Sequence, residues 1–190
     1  MQRAVYPPRE DSALLAAALA CPKNVKCLDM GTGSGIQALR FAELGATEIW
    51  LADINSEAVA CAKEKLAAAG FHGKTVCVES DLFEKIPANE KFDAIAFNPP
   101  YLPSDGVKHV ELDGGKNGRE TLDRFLSEIP QHLAPHGECF FLQTDLNGEK
   151  ETMEKLPALG LCRKIVARQK LAFEELMVFR CRLRRKTRQG

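Results

Sequence analysis

The sequence lacks several features that would place it in a specialised class of protein. No apolar run approaches the roughly 18 residues that a membrane-spanning helix needs, and no signal peptide opens the chain. Lysine plus arginine and aspartate plus glutamate both number 26, so the formal net charge is zero. The basic excess typical of proteins that grip long nucleic acids is therefore missing. We expect a soluble, cytoplasmic protein with no membrane association, and duplex DNA is disfavoured as a ligand.

Motifs for metal binding and for disulfide chemistry are also missing. The chain has seven cysteines, an odd number, and they form no CxxC. Several of them lie inside apolar segments, such as residues 75–80 and 138–144. The four histidines show no spacing that suits a metal site. We therefore expect buried, reduced thiols, no disulfide and no metal.

What the sequence does contain is a regular alternation of helix and strand patterns. Its 190 residues suffice for one domain, with an N-terminal helix within residues 1–20 and a basic tail at 181–190. Predicted helices occupy residues 8–20, 35–45, 55–70, 119–133 and 149–160. Predicted strands occupy residues 24–30, 47–54, 74–81, 92–98, 137–144, 162–170 and 175–183.

The apolar pattern of these strands predicts the fold class. Most strands are continuously apolar, which is typical of a parallel sheet covered by helices on both faces. The last two strands are joined too briefly for a helical crossover, so they should form an antiparallel hairpin. The prediction is an α/β, Rossmann-like fold with a seven-stranded, mostly parallel sheet that ends in this hairpin. Sheets of this kind bind ligands at the carboxyl ends of their strands.

The first strand ends in an acid followed by a glycine-rich loop. Asp29 precedes glycines at 31, 33 and 35, which allow a sharp turn and a close approach of ligand to backbone. The loop departs from the dinucleotide fingerprint because position 36 is isoleucine. An acid beside this loop would repel a pyrophosphate and attract a cation. The loop therefore suits a positively charged ligand, such as an aminoacyl sulfonium.

Two further acids follow the next two strands. Asp53 lies 18 residues beyond Gly35, where a carboxylate can accept hydrogen bonds from both hydroxyls of a ribose. An alternative role for Asp53 is to cap the helix that follows. Asp81 precedes Leu82, and an acid next to an apolar side chain suits an adenine ring with its amino group. Acids at three successive strand ends are a stronger signal than any one of them.

The fourth strand ends in the stretch Asn98, Pro99, Pro100 and Tyr101. Proline restricts the residue before it to extended conformations and has no N–H, so this corner should be stiff and rich in acceptors. The Asn98 oxygen, a nearby backbone carbonyl and the Tyr101 ring together match a planar –NH₂ group. Acceptors aimed at both of its hydrogens favour the pyramidal nitrogen of a transition state. The corner is predicted to hold a planar nitrogen for attack; a plain proline-rich turn is the alternative.

Together, these residues resemble a class I S-adenosylmethionine-dependent methyltransferase with an NPPY motif. The sequence is most similar to the HemK-type glutamine methyltransferases, in the short archaeal and eukaryotic branch that modifies a peptide release factor. Besides NPPY, the matching stretches are YPPREDSALL, GGKNGRETLDRF and ARQKLAFEELMVFR. The resemblance covers nearly the whole chain.

The resemblance implies S-adenosyl-L-methionine as cofactor and assigns residues to it. Tyr6 and Ser12 would help to close the cofactor site, and Ser12 stands where the family usually has threonine. The residues assigned to the cofactor are Tyr6, Ser12, Asp29, Gly31, Gly33, Asp53, Ile54, Asp81, Leu82 and Asn98. Those assigned to catalysis are Asn98, Pro99, Pro100 and Tyr101.

The resemblance also implies a substrate and a partner. The implied substrate is a glutamine in a Gly-Gly-Gln context of a release factor; adenine N6 or guanine N2 in RNA or DNA, or a protein lysine, remain alternatives. A small zinc-binding activator protein would pair with the edge strand that contains Val76 and Val78, unless a helix or loop covers that edge. The alternating Arg180, Arg182 and Arg184 suit a solvated surface or a protected sheet edge, with contact to RNA or the ribosome as the alternative.

Overall fold

The strands form a single sheet in the computed structural model, which describes residues 9–101 and 118–184. The strands are β1 (Lys26–Met30), β2 (Glu48–Asp53), β3 (Lys74–Glu79), β4 (Phe92–Phe97), β5 (Leu133–Thr144), β6 (Leu161–Lys170) and β7 (Glu175–Leu183). The helices are α1 (Glu10–Ala18), α2 (Ile36–Leu44), α3 (Ser56–Ala68), α4 (Glu120–His132) and α5 (Glu149–Ala158), with a short 3₁₀ helix at Asp145–Asn147.

The strand order across the sheet is β3-β2-β1-β4-β5-β7-β6. The pairs from β3 to β5 are all parallel, whereas β7 runs antiparallel to both β5 and β6. The parallel neighbours β1 and β2, and β2 and β3, are each joined through a helix, because a parallel connection must return the chain to the same end of the sheet. This topology confirms the predicted fold class, including the C-terminal antiparallel hairpin.

Helices cover both faces of the sheet because most strand residues are apolar on both sides. The helices α1, α2 and α3 pack on one face, where Phe41 of α2 and Leu66 of α3 join one apolar cluster. The helices α4 and α5 pack on the other face, where Phe125 and Leu156 join a second cluster. Among the described helices, none is long and apolar enough to cross a membrane.

Two features near β5 differ from the sequence prediction. The strand begins at Leu133, directly after α4, because Leu133 pairs with Phe92 before a register shift in the β4–β5 ladder. Pro135 and Gly137 interrupt the apolar pattern there, so the prediction started the strand at residue 137. The 3₁₀ helix after β5 was not predicted, since three residues are too short to show a helical period.

The cysteines are all free, but not all are buried as expected. Cys27, Cys139 and Cys181 are buried, whereas Cys77 and Cys162 are exposed. These two exposed cysteines lie on β3 and β6, the two edge strands of the sheet. An edge strand has a neighbour on one side only, so its side chains are covered less completely.

Candidate active site

The fold brings the acids and the NPPY corner to one edge of the sheet. In the ladder register, Met30 at the end of β1 lies between Ala52 of β2 and Phe97 of β4. Asp53 at the end of β2 is paired with Glu79 of β3. The carboxyl ends of β3, β2, β1 and β4 are therefore neighbours, as the predicted site requires.

The glycine-rich loop lies directly against the NPPY corner. Gly31 has φ of 61°, and a Cβ there would lie 3.3 Å from the Phe97 ring and 4.0 Å from the Asn98 carbonyl oxygen. Gly35 has φ of 79°, and a Cβ there would lie 2.9 Å from Ala62 of α3. Glycine is needed at both positions for backbone conformation and for space.

Asp29 binds this loop through one of its two carboxylate oxygens. Its Oδ2 accepts hydrogen bonds from the Thr32 hydroxyl at 2.7 Å and the Ala38 amide at 3.0 Å. Its Oδ1 is buried and has no hydrogen-bond partner among the described residues. Burial raises the pKa of Asp29 to about 8, against the lowering effect of these two hydrogen bonds. A cationic donor placed at Oδ1 would satisfy this oxygen and lower that pKa again.

Asp53 also holds the glycine-rich loop. Its Oδ2 accepts a hydrogen bond from the Gly33 amide at 3.0 Å, and its Oδ1 accepts one from the Asn55 amide at 2.9 Å. The N-cap of α3 is Asn55, whose side chain accepts from the Glu57 amide at 3.1 Å. The alternative role of Asp53 as the cap of α3 is therefore wrong. The neighbouring Ile54 is 45% exposed, although it is a large apolar residue.

Asp81 and Leu82 form a turn directly after β3. Asp81 makes an ion pair with Arg124 of α4, with 3.0 Å between Oδ2 and Nη2, a contact that the sequence did not predict. Leu82 is buried and has φ of 50°, which is unusual for a bulky residue. Such strain is found at binding sites more often than elsewhere, and it bends the backbone at this end of the sheet.

The Asn98 side chain is held by α1, far away in the sequence. Its Nδ2 donates hydrogen bonds to Asp11 Oδ2 at 3.0 Å and to the Ser12 hydroxyl at 3.3 Å. Its Oδ1 is buried, with no hydrogen-bond partner in the part of the chain that the structure describes. Pro99 is buried and Pro100 is partly buried, so the corner is packed as well as stiff. The result is an oriented amide with an acceptor still to be satisfied.

Tyr101 is anchored at both its hydroxyl and its backbone. The hydroxyl donates a hydrogen bond to Asp11 Oδ2 at 3.3 Å, and the ring packs partly buried against the cluster on the α1 face. The Tyr101 carbonyl accepts a hydrogen bond from Asn147 Nδ2 at 2.7 Å. The same Nδ2 donates to the Gly118 carbonyl at 3.1 Å, so Asn147 joins the two ends of the segment between them.

Asp11 and Asn147 are two further site residues to which the sequence analysis assigned no role. Asn147 is 1% exposed and lies in the unpredicted 3₁₀ helix, where its Oδ1 also accepts from the Thr144 amide at 2.9 Å. Arg119 stabilises this turn by donating to the Asn147 and Gly148 carbonyls and to the Thr152 hydroxyl. Nothing in the local sequence shows that these residues meet.

Further negative charge lies beside the NPPY corner. The pKa of Glu174, in the β6–β7 turn, is raised by burial and by the charges of Asp145 and Asp11. The Asp145 side chain accepts a hydrogen bond from the Glu175 amide at 2.9 Å, which ties the turn to the end of β5. Glu174 therefore lies within electrostatic range of two further acids, one of which, Asp11, contacts the corner.

Some predicted residues lie outside the described part of the chain. These are Tyr6, most of the GGKNGRE stretch and residues 185–190 of the basic tail. Their assignments stay predictions. The alternating arginines do not protect a sheet edge, because β7 is paired with β5 on one side and with β6 on the other. Arg180 lies 3.7 Å from Glu138 on the adjacent strand, which fits a solvated strand surface.

Comparison with known proteins identifies the family. A family model described as the methyltransferase small domain matches residues 10–173. The chain is 46% identical to a putative protein N5-glutamine methyltransferase of Methanocaldococcus jannaschii, over 92% of this chain and 89% of that protein. It is 33% identical to methyltransferase HEMK2 of Homo sapiens, over 83% of this chain and 79% of that protein. It spans about half of the release factor glutamine methyltransferase of Gloeobacter violaceus (29% identity, 52% of that protein).

Solved structures agree with this assignment. A chain of the E. cuniculi Mtq2–Trm112 complex superposes with a TM-score of 0.74 and 26% identity, over 97% of this chain and all of that chain (100%). The 16S rRNA N2 G1207 methyltransferase of T. thermophilus, solved with AdoMet and guanosine, shares the fold (TM-score 0.71, 22% identity, 94% of this chain and 44% of that chain). The present chain therefore belongs to the methyltransferase small domain family and is a methyltransferase of the HemK type.

Proposed function

We propose that this methyltransferase transfers a methyl group from S-adenosylmethionine to the side-chain amide nitrogen of a glutamine in a peptide release factor. The observation that carries the proposal is the Asn98 side chain, whose –NH₂ is held by Asp11 while its buried oxygen has no partner among the described residues. The names of two relatives support glutamine in a release factor as the substrate. One is named a putative protein N5-glutamine methyltransferase and the other a release factor glutamine methyltransferase.

The cofactor half of the site fits S-adenosylmethionine. The unpartnered Asp29 Oδ1 suits the amino group of the methionyl part, beside a loop in which Gly31 and Gly33 both have positive φ. Asp53 suits the ribose hydroxyls, with Ile54 beside it. Leu82 offers an apolar surface to the adenine, and Asp81 an acceptor to its amino group. When bound, this cofactor supplies an electrophilic methyl group on a sulfonium.

The NPPY corner then supplies what an amide nitrogen lacks. The lone pair of an amide nitrogen is delocalised into the carbonyl, so the nitrogen is a poor nucleophile. A hydrogen bond from its N–H to Asn98 Oδ1 is strongest when the nitrogen turns pyramidal and gains positive charge, so it lowers the barrier to attack. The acids Asp11, Asp145 and Glu174 near the corner favour the same positive charge. The nitrogen loses its extra proton after transfer, and no general base is required.

Mass spectrometry of a release factor tests this proposal. The purified protein, with any activator it requires, is incubated with S-adenosylmethionine and a release factor that contains the Gly-Gly-Gln sequence. We expect one methyl group on that glutamine, and none on a release factor in which the glutamine is replaced by glutamate. Methylation of RNA, DNA or a lysine, with the release factor unmodified, would instead support the alternatives and overturn the proposed substrate.

We also propose that a small protein partner adds a strand to the free side of β3. This strand ends the sheet and pairs only with β2 among the described strands. Val76 and Val78 are partly buried against the cluster on the α4 face, and Cys77 is exposed. An apolar edge strand without proline invites pairing with another chain. The E. cuniculi structure is itself of a two-protein complex, Mtq2–Trm112.

A matched pair of substitutions tests the partner proposal. Val76 on β3 and Ile165 on β6 are both partly buried against the same apolar cluster, but on opposite edges of the sheet. Val76→Lys should prevent co-purification with a Trm112-type protein, whereas Ile165→Lys should leave it intact at a similar cost in melting temperature. Equal binding by both variants would place the partner elsewhere.

A further inference from the structure

We propose that Asp11 is a positioning residue that determines which end of the Asn98 side chain faces the target nitrogen. Asp11 lies in the first turn of α1 and is 3% exposed. Its Oδ2 accepts from Asn98 Nδ2 at 3.0 Å and from the Tyr101 hydroxyl at 3.3 Å. A carboxylate only accepts hydrogen bonds, so Asn98 must turn its –NH₂ towards Asp11 and its oxygen away.

Asp11 cannot easily turn to relax this constraint. Its other oxygen, Oδ1, accepts from the Ser12 amide at 2.6 Å and the Ser12 hydroxyl at 3.2 Å. The Ser12 carbonyl in turn accepts from Nε2 of the buried Gln37 at 2.9 Å, which ties this turn to α2. Helix α2 follows the glycine-rich loop directly, so the first turn of α1 is anchored to the helix behind that loop.

The isosteric substitution Asp11→Asn gives an unusual expectation. The new side chain has one oxygen and one –NH₂, and the Ser12 amide requires the oxygen at the Oδ1 position. The –NH₂ then occupies the Oδ2 position, facing the –NH₂ of Asn98. Asn98 can relieve this clash of two donors by rotating its amide, while the Tyr101 and Ser12 hydroxyls reorient to match. Asn98 then points its –NH₂ at the target nitrogen.

A reversed Asn98 should be worse for catalysis than a merely unrestrained one. With Asp11→Ala, Asn98 can still place its oxygen towards the target for part of the time. With Asp11→Asn, the site offers a donor where the attacking –NH₂ group needs an acceptor. The expected order of turnover is therefore wild type, then Asp11→Ala, then Asp11→Asn. A purely structural role for Asp11 predicts the opposite order for the two variants, because Asn keeps the shape of Asp.

Turnover of these variants provides the main test. The expected ranking rests on the proposed function for the role of the Asn98 oxygen as acceptor of the target –NH₂ group, whichever substrate carries that group. We expect Asp11→Asn to lose at least about 100-fold in kcat and Asp11→Ala about tenfold, with cofactor affinity unchanged. Glu10→Gln, an exposed neighbour in the same turn, is the matched control and should behave as wild type. In an Asn98→Ala background the two Asp11 variants should become equal.

A second experiment measures the same order of turnover without a chosen substrate. Each variant is added to a cell lysate with methyl-tritiated cofactor, and the total label transferred to macromolecules is counted. The ranking is then read on whatever acceptor the enzyme uses, so a failure of the glutamine assignment is distinguished from a failure of the Asp11 proposal. Turnover of Asp11→Asn equal to or above that of Asp11→Ala would overturn the proposal.

A nuclear magnetic resonance measurement covers the case in which a variant folds poorly. The side-chain amide protons of Asn98 are identified in the wild-type protein by their loss in Asn98→Ala. A hydrogen bond to a carboxylate should shift one of them downfield, and the shift should disappear in Asp11→Ala. An Asn98 amide signal at the ordinary position in the wild type would contradict the proposal without reference to activity.

Discussion

The two halves of the site are held together over very different distances in sequence. In the cofactor half, Asp29 and Asp53 accept hydrogen bonds from partners that lie 2 to 20 residues away. In the target half, Asn98 is hydrogen-bonded to Asp11, 87 residues away in the sequence, and Tyr101 to Asn147, 46 residues away. The Asp29 and Asp53 part of the cofactor half is therefore a local structure of one strand–loop–helix unit and its neighbour, although Asp81 is paired with the more distant Arg124. The target half is assembled from three distant segments.

This difference predicts how each half responds to substitution. Changes in the cofactor half should alter cofactor affinity, since Asp29 and Asp53 hold the glycine-rich loop that is assigned to the cofactor. Changes in the target half should alter turnover, since its side chains orient the acceptor of the methyl group. A variant that alters both quantities equally would show that the two halves are not separate.

The largest effect is expected for Asn98→Ala. This change removes the oxygen that is proposed to bind the target nitrogen, so the loss falls on the transition state. We expect kcat to fall by about 10²–10³-fold while the cofactor dissociation constant changes by less than about twofold. Single-turnover kinetics and calorimetry measure the two quantities. Near wild-type turnover would show that the NPPY corner is only a structural turn.

A smaller effect, in the other half, is expected for Asp53→Ala. Hydrogen bonds to a charged group contribute about 1.5–3 kcal/mol each, so the loss of the ribose contacts should weaken cofactor binding by about 10-fold or more. The carboxylate also holds the Gly33 amide, so the loop loosens as well. Calorimetry with S-adenosylmethionine is the measurement. Glu79→Ala, an exposed acid paired with Asp53 in the sheet, serves as control. Unchanged affinity in Asp53→Ala would contradict the ribose assignment.

The next prediction concerns Asn147, whose side-chain amide donates hydrogen bonds to the carbonyls of Tyr101 and Gly118. Asn147→Ala leaves two carbonyl groups without their donor, and a buried unsatisfied group costs about 1–3 kcal/mol. We expect a lower melting temperature and a reduced kcat with normal cofactor affinity. Asn147→Asp should be no better, because a carboxylate cannot donate to either carbonyl. Normal turnover in both variants would remove Asn147 from the target half.

The smallest effect is the release of a proton when the cofactor binds. Because the pKa of Asp29 is raised to about 8, the free enzyme carries this carboxyl protonated at neutral pH. The cationic amino group of the cofactor should lower that pKa, so binding at pH 7 should release close to one proton, and progressively less above pH 8. Calorimetry in buffers of different ionisation enthalpy measures this number. Asp29→Asn should abolish the release, and a pH-independent signal in the wild type would contradict the assignment.

The raised pKa of Asp29 should also make the stability of the folded protein depend on pH. The folded-state pKa of Asp29, about 8, lies above the ordinary aspartate value of 3.8, so between those two pH values the folded state binds more protons than the unfolded state does. The contribution of Asp29 to stability is therefore present at low pH and is lost as the pH rises towards 8. Asp29→Asn should flatten this part of the pH dependence of the melting temperature.

Much of the fold was readable from the sequence because it depends on local patterns. Continuous apolar strands separated by helical periods predicted a parallel sheet, and the short connection between β6 and β7 predicted the antiparallel hairpin. The start of β5 was misplaced, since Pro135 and Gly137 interrupt its pattern and only pairing with β4 extends the strand to Leu133. Local patterns locate elements well and their ends less well, because neighbouring strands decide where pairing stops.

For the site, the sequence by itself determined which residues lie at strand ends, and hence that Asp29, Asp53, Asp81 and Asn98 share one edge of the sheet. Only the tertiary structure decided how they are held. The roles of Asp11 and Asn147 depend on hydrogen bonds between segments far apart in the chain, and no local pattern encodes such a bond. The orientation of the Asn98 amide is set by a carboxylate that cannot donate, and that constraint exists only once the first turn of α1 meets the corner that follows β4.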